Sequence, residues 1–169
     1  FETFTYNGRG LVLNRTDFNG VTNSYSYDAL GRRIRADFGD GSSVVTTYGS
    51  NGLPGTVTDA RGVTSYSYDT MNRLASVIDP DGRQLGYTYD SRGLRTTLVA
   101  PYGTMSFGYD SLRRLQEVHD VDGSVTTFSY DAVGNRIGVS RPNGVTTEST
   151  FDALNRPHAI THRNSSNSV

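Results

Sequence analysis

The sequence predicts an all-β protein: an antiparallel meander of about sixteen short strands in a curled or spiralling sheet, with one β-hairpin per repeat. Three observations predict it: a repeat of 20 or 21 residues, two turn signals inside each repeat, and no 3.6-residue apolar stripe that would mark a helix. An aromatic column runs Tyr6, Tyr27, Tyr48, Tyr68, Tyr89, Tyr109, Tyr130 and Phe151, with gaps of 21, 21, 20, 21, 20, 21 and 21. A glycine column, Gly20, Gly41, Gly62, Gly82, Gly103, Gly123 and Gly144, follows its marker by 14 residues every time. Such locked phase marks a repeat architecture, in which each unit is stabilised by its neighbours.

Within a copy the elements follow in order. Two residues before the marker stand Phe4, Tyr25, Tyr66, Tyr87, Phe107 and Phe128, with Thr46 and Ser149 departing. These two columns hold 14 of the 18 aromatic residues, and spacing by two places each pair on one face of a strand. The next residue is Asp28, Asp69, Asp90, Asp110, Asp131 or Asp152, with Asn7 and Gly49 departing. Four after the marker come Gly10, Gly31, Gly52, Asn72, Gly93, Gly134 and Asn155, and Arg113 alone breaks the rule. A column of Gly and Asn predicts a backbone held at positive φ, hence a tight turn. Arg32, Arg73, Arg95, Arg114, Arg136 and Arg156 lie five or six after the marker, and a clasp is expected between each and its aspartate.

The second turn centres on the other glycine column, where five of the seven pairs are Asn-Gly or Asp-Gly. These favour the type I′ turn of a two-residue hairpin. Taking Asp81-Gly82 as the central pair sets Ile78 opposite Leu85 and gives one apolar face of Leu74, Ile78, Leu85, Tyr87 and Tyr89. A parallel β-solenoid is the alternative fold, ranked second because it has no need of hairpin turns. The third copy, TTYGSNGLPGTVT, lacks the first aromatic, the Asp and the Arg and carries Pro54 in place of a strand donor, so distorted or weakened pairing is expected over 46–56.

Only 34% of residues are hydrophobic, so the aromatic columns must supply much of the buried area. All 16 basic residues are arginine, spread at the repeat period and balanced by 17 acidic ones, which is no footprint for nucleic acid. No apolar run is long enough to insert in a membrane, and no cysteine is present. Residues 1–163 are read as one array of about eight repeats and 164–169 as a polar tail; because both ends lie inside the pattern, a fragment of a longer chain is expected. No metal, cofactor or catalytic site is expected. His158 and His162 would lie about 13 Å apart on a strand, too far to share an ion. Asp79 and Asp81, like Asp120 and Asp122, open like a calcium loop but lack its closing Glu and fit turn chemistry. Carboxylates recurring at turns read as structural.

The stretches YSYDALGR, YSYDTMNR, YTYDSRG, FGYDSLRR and FSYDAVGNR resemble the YD repeat of Rhs proteins, toxin-complex shell components, wall-associated bacterial toxins and teneurins. The resemblance implies β-hairpins laid side by side in a strip that closes as a shell around a toxic domain, in a protein secreted from or displayed on a bacterium. Asp79-Pro80-Asp81-Gly82 is similar to the Asp-Pro-x-Gly of the family's self-cleaving core, but falls on an ordinary hairpin turn. The expected partners are further repeats or other chains at the edge strands, an encapsulated effector domain, and glycans stacked on tyrosine. The competing reading is a surface adhesion or filament module. The residues expected to carry the repeat are Tyr27, Asp28, Gly31, Arg32, Gly41, Tyr68, Asp69, Asn72, Arg73, Gly82, Tyr89, Asp90, Gly93, Tyr109, Asp110, Gly123, Tyr130, Asp131, Gly134, Arg136 and Gly144.

Overall fold

The computed structural model describes residues 1–165, so the last four positions of the expected polar tail lie outside the described residues. Sixteen strands form one open sheet in sequence order, each beside its chain neighbours, and there is no helix among the described residues. The pairing is antiparallel, which removes the solenoid alternative. The chain divides at Leu85/Gly86 into two compact units.

The first unit holds β1 (Thr3–Tyr6), β2 (Val12–Thr16), β3 (Thr22–Tyr27), β4 (Arg33–Asp37), β5 (Ser43–Tyr48), β6 (Pro54–Asp59), β7 (Gly62–Tyr68) and β8 (Leu74–Ile78). β9 (Gln84–Tyr89) carries the unit boundary. The second unit continues with β10 (Arg95–Ala100), β11 (Gly103–Tyr109), β12 (Leu115–His119), β13 (Val125–Tyr130), β14 (Arg136–Ser140), β15 (Thr146–Phe151) and β16 (Pro157–Arg163).

Both turn columns use one geometry. In the turn after Tyr27 the Gly31 N–H donates to the Asp28 carbonyl (3.0 Å) and the Asp28 N–H to the Arg32 carbonyl (2.9 Å). The turn at Gly20 repeats this with Asp17 and Val21, both bonds 3.0 Å. This is a three-residue loop, a type I turn closed by one residue at positive φ, and it corrects the two-residue type I′ reading. Asn-Gly and Asp-Gly were ambiguous because a glycine after a polar residue suits either loop. At Gly82 the Asp79 N–H meets the Arg83 carbonyl (3.0 Å), so Asp79 and not Pro80 stands opposite Arg83. Two-residue loops do occur, at Ala60-Arg61 and Pro101-Tyr102, where Asp59 pairs with Gly62 and Ala100 with Gly103. These fall in the two 20-residue gaps: the missing residue is a loop residue.

Opposite every marker the following strand carries a bulge. Tyr27 pairs with Arg33 and Ser26 with Arg35, leaving Ile34 as the extra residue. The same step recurs at Leu13, Gly55, Ala75, Thr96, Gln116, Ile137 and His158. One extra residue flips every later side chain, which corrects the expected apolar face. Val77 joins the aromatic face opposite Tyr66, whereas Ile78 falls on the other face opposite Ser65. That other face carries cross-strand hydroxyl pairs, with contacts of 2.7 Å at Thr16–Thr22, Thr47–Thr56 and Ser67–Ser76 in the first unit, and at Thr88–Thr97 in the second. The core is thin: Ala36, set between Tyr25 and Val44, is the one buried hydrophobic residue among those described, at 2% exposure.

The distortion expected over 46–56 is absent. Val45, Thr46, Thr47 and Tyr48 pair with Thr58, Val57, Thr56 and Pro54, and the turn keeps its bonds from Gly49 to Leu53 (2.9 Å) and from Gly52 to Gly49 (3.0 Å). Pro54 is tolerated because its column, which also holds Pro157, starts the strand beside the bulge, where a ladder N–H is dispensable.

At Gly82 (φ 79°) an added Cβ would enter open space, with nothing within 4 Å, so Gly82→Ala should cost about 1–2 kcal/mol in urea unfolding through backbone strain alone. Gly103→Ala should cost more, because its Cβ would meet the Val121 Cβ at 2.8 Å across neighbouring turns.

Candidate functional site

The feature that recurs with the sequence motif is a joint between successive hairpins, built from the Asp turn outward. At the aspartate after the marker, one carboxylate oxygen accepts two backbone N–H groups. Asp28 Oδ1 takes those of Leu30 and Arg32, both at 2.9 Å, and Asp110 Oδ1 takes those of Leu112 and Arg114 at the same length. Asp69, Asp90, Asp131 and Asp152 repeat the arrangement. The side chain thereby satisfies turn donors that no strand reaches. Asn7 does the same with Arg9 and Leu11 (2.9 and 3.0 Å), because only the oxygen is required.

The second carboxylate oxygen receives the guanidinium. Arg32, Arg73, Arg114 and Arg156 reach Asp28, Asp69, Asp110 and Asp152 through Nε at 2.6 to 2.7 Å. Two clasps differ from the expectation. Asp90 is met by Arg92 (2.9 Å) in place of Arg95, and Asp131 by the Asn135 amide (2.9 Å) in place of Arg136. The reason is geometric: the residue five after the marker sits in the turn, whereas the residue six after it opens the next strand and points along the aromatic face. Arg95 accordingly lies 4.7 Å from the centre of the Phe107 ring, and Arg33 and Arg136 lie 5.6 and 5.8 Å from Tyr25 and Phe128. What the sequence presents as one arginine column is two, with separate work.

Gly10, Gly31, Gly52, Asn72, Gly93, Gly134 and Asn155 all take positive φ, and so does the exception, Arg113 at 66°. Gly41, Gly82, Gly123 and Gly144 do so on the opposite edge, at 78 to 85°.

All six aspartates are held below the ordinary carboxylate range. For Asp69, Asp110 and Asp152 the leading cause is the N–H of Arg73, Arg114 or Arg156, and the guanidinium of the same residue adds to it against partial desolvation. For Asp28, Asp90 and Asp131 desolvation is the largest influence and acts upward, but the combined hydrogen bonds outweigh it.

The tyrosine hydroxyl completes the joint, and the sequence did not reveal it. Tyr27 Oη donates to the Val12 carbonyl (2.8 Å), Tyr48 to Arg33 (2.9 Å), Tyr68 to Pro54 (3.0 Å), Tyr109 to Arg95 (3.0 Å) and Tyr130 to Leu115 (2.8 Å). Each acceptor is the residue opposite the previous marker, beside the bulge. The ring lies on the preceding clasp: the Arg32 guanidinium is 4.3 Å from the centre of Tyr48, and Arg114 is 4.6 Å from Tyr130. Arg114 also donates to the Asp131 carbonyl of the next turn (3.0 Å). One arginine thus closes its own turn, supports the next tyrosine and ties down the next turn. The signal available in the sequence was the marker column itself, tyrosine in seven copies of eight, where packing alone would accept phenylalanine.

A single sheet of hairpins joined in this way defines a β-hairpin repeat protein. The RHS repeat family model matches residues 50–84, 68–105 and 109–147, more than half of the chain, and the chain belongs to that family. No curated protein matches it. Among solved structures, the crystal structure of TcdB2-TccC3-Cdc42 aligns at a TM-score of 0.77 and 20% identity, covering 92% of this chain and 10% of that one. TcdB2-TccC3 without its hypervariable C-terminal region gives 0.77, 20%, 94% and 10%. The Photorhabdus luminescens Tc holotoxin pore gives 0.52, 16%, 98% and 12%. These likenesses show the shared fold, and the chain spans about a tenth of the length of those proteins.

Phe151→Tyr should stabilise the protein by about 0.5–1.5 kcal/mol in urea unfolding by supplying a hydroxyl at the one marker that lacks it. Asp110→Asn and Arg114→Gln should be non-additive in a double-mutant cycle, whereas Asp131→Asn and Arg136→Gln should add. Because the folded-state carboxyl values are depressed, their stabilisation is full above the unfolded value of about 4 and is lost as pH falls through the lower folded values. The urea midpoint should therefore drop between pH 5 and roughly pH 2, and less steeply in a variant carrying Asp69→Asn and Asp110→Asn.

Proposed function

We propose that this array is a wall segment of an RHS-repeat shell in a secreted or surface-displayed bacterial protein, and that it encloses or displays a toxin or other effector. The wall acts by shape and carries out no catalysis. The observation that carries the reading is the use of the motif residues: Tyr, Asp and Arg are spent on one another and on the backbone of adjacent hairpins. The structural likeness to Tc toxin assemblies, one of them solved without its hypervariable C-terminal region, supports a wall that carries a variable effector region.

The same geometry weighs against glycans as ligands. A sugar ring would need a free aromatic face, and Tyr48, Tyr130 and Phe107 each have a guanidinium within 4.3 to 4.7 Å of the ring centre. Protease challenge of the full-length protein that carries this array tests the proposal. The effector region should resist cleavage at neutral pH and become cleavable in step with unfolding of the array in urea. Cleavage as fast as that of the effector produced alone would contradict it.

A further inference from the structure

In each unit the hairpin turns line two rims, the Asp turns on one and the turns of the other glycine column on the second, and the rims differ at one position. Two residues after the turn aspartate stand Leu30 and Met71 in the first unit and Leu112, Val133 and Leu154 in the second, each 64 to 77% exposed. The five three-residue loops of the Gly rim have the same geometry, and there the equivalent residue is Asn19, Asp40, Asp81, Asp122 or Asn143. Turn chemistry favours these polar residues, because Asn and Asp bond the backbone of their own turn. It does not account for leucine, methionine and valine at an exposed turn tip. Contacts inside the array do not account for them either. Where the position is polar on the Asp rim its side chain ties down the next turn: Arg9 donates to the Ala29 carbonyl (2.6 Å), Arg92 to the Asp110 carbonyl (3.1 Å) and the Asn51 amide to Asn72 Oδ1 (3.1 Å). The apolar residues cannot make that tie, and an exposed apolar row marks a contact surface.

We infer that the Asp rim is a seam, where the row of Leu112, Val133 and Leu154 packs against the Gly rim of another stretch of repeats in the same wall. The inference rests on the wall reading and adds to it the residues that close the wall. Three features select this occupant. The row recurs once per repeat, or about 10 Å for every two strands, so a partner that meets each member must share that period, as a second row of repeat turns does. The Gly rim supplies apolar groups at its own tips, in the second unit Tyr102 at 82% exposure, Val121 and Pro142. The charges are complementary: Arg113 is exposed beside Leu112, and Asp122 is exposed beside Val121. A second Asp rim would instead set Arg113 against its like. Successive stretches of one strip wound in a single direction also bring opposite rims together, never like rims.

Photo-cross-linking of the full-length protein that carries this array, with benzoylphenylalanine in place of Val133, tests it. Beyond the neighbouring Asp turns, cross-links are expected to peptides of RHS repeats that hold a Gly turn. Cross-links to the effector region, to a separate protein or to Asp turns elsewhere in the chain would overturn the inference, and so would none at all. In the same full-length protein, Leu112→Ser, Val133→Ser and Leu154→Ser together should speed protease cleavage of the effector region roughly tenfold or more. Serine suits a turn tip, so the hairpins themselves should keep their fold. Cleavage of this variant at the unaltered rate would also overturn the inference. The wall reading fails by a different result, cleavage of the unaltered protein's effector as fast as the effector produced alone, whatever Val133 cross-links to.

Discussion

The hydrogen bond from a marker tyrosine to the carbonyl beside the preceding bulge is the contact on which the rest of this structure depends. An ordinary domain gains its stability by stacking layers around buried side chains. Here one sheet forms each unit and Ala36 alone is buried among the hydrophobic residues described, so a hairpin can be held only by the hairpin before it and the one after it. Ladder hydrogen bonds supply part of that hold. The joint supplies the rest: at Tyr48 and Tyr130 it adds a ring, a cation and a directed hydroxyl together.

The bulge and the tyrosine explain each other. An extra residue opposite the marker interrupts the ladder and sharpens the local twist, and it leaves a carbonyl whose neighbour in the next strand is out of register. A buried or half-buried carbonyl without a partner is costly, and the phenol reaching across from the next hairpin removes that cost. The aspartate then fixes the turn that sets the marker in place, and the arginine neutralises the carboxylate while offering its flat face to the next ring. Twist generated at the bulges beside Val12, Arg33, Pro54, Arg95 and Leu115 therefore comes with the bond that stabilises it.

Much of this was legible in the letters. The 20- and 21-residue period, the hairpins, the paired aromatics and the positive-φ columns follow from residue types that have few other uses; Arg113 shows the backbone rule holding even where the residue breaks it. The parts that were not legible are those where one residue type serves two geometries. Asn-Gly and Asp-Gly fit both two- and three-residue loops, and only the short gaps around Gly62 and Gly103 distinguished them. Arg95 and Arg136 share a column with Arg32 when one residue of slack is allowed, yet Arg32 clasps its turn aspartate whereas Arg95 and Arg136 lie beside the rings of Phe107 and Phe128. A bulge changes no residue preference strongly, so it exchanged the faces of Val77 and Ile78 without warning. Pro54 and Pro157 in one column were the available hint.

The tyrosine hydroxyl bonds the hairpin closed by one Asp turn to the hairpin closed by the Asp turn before it, and residue-resolved hydrogen exchange on Tyr48→Phe tests that most directly. The substitution removes one oxygen and leaves the ring over Arg32. Protection should fall on both sides of the joint, in β3 and β4 around Arg33 as well as in β5 and β6. A loss confined to β5 and β6, with β3 and β4 as protected as before, would contradict the claim that the tyrosine holds the array together.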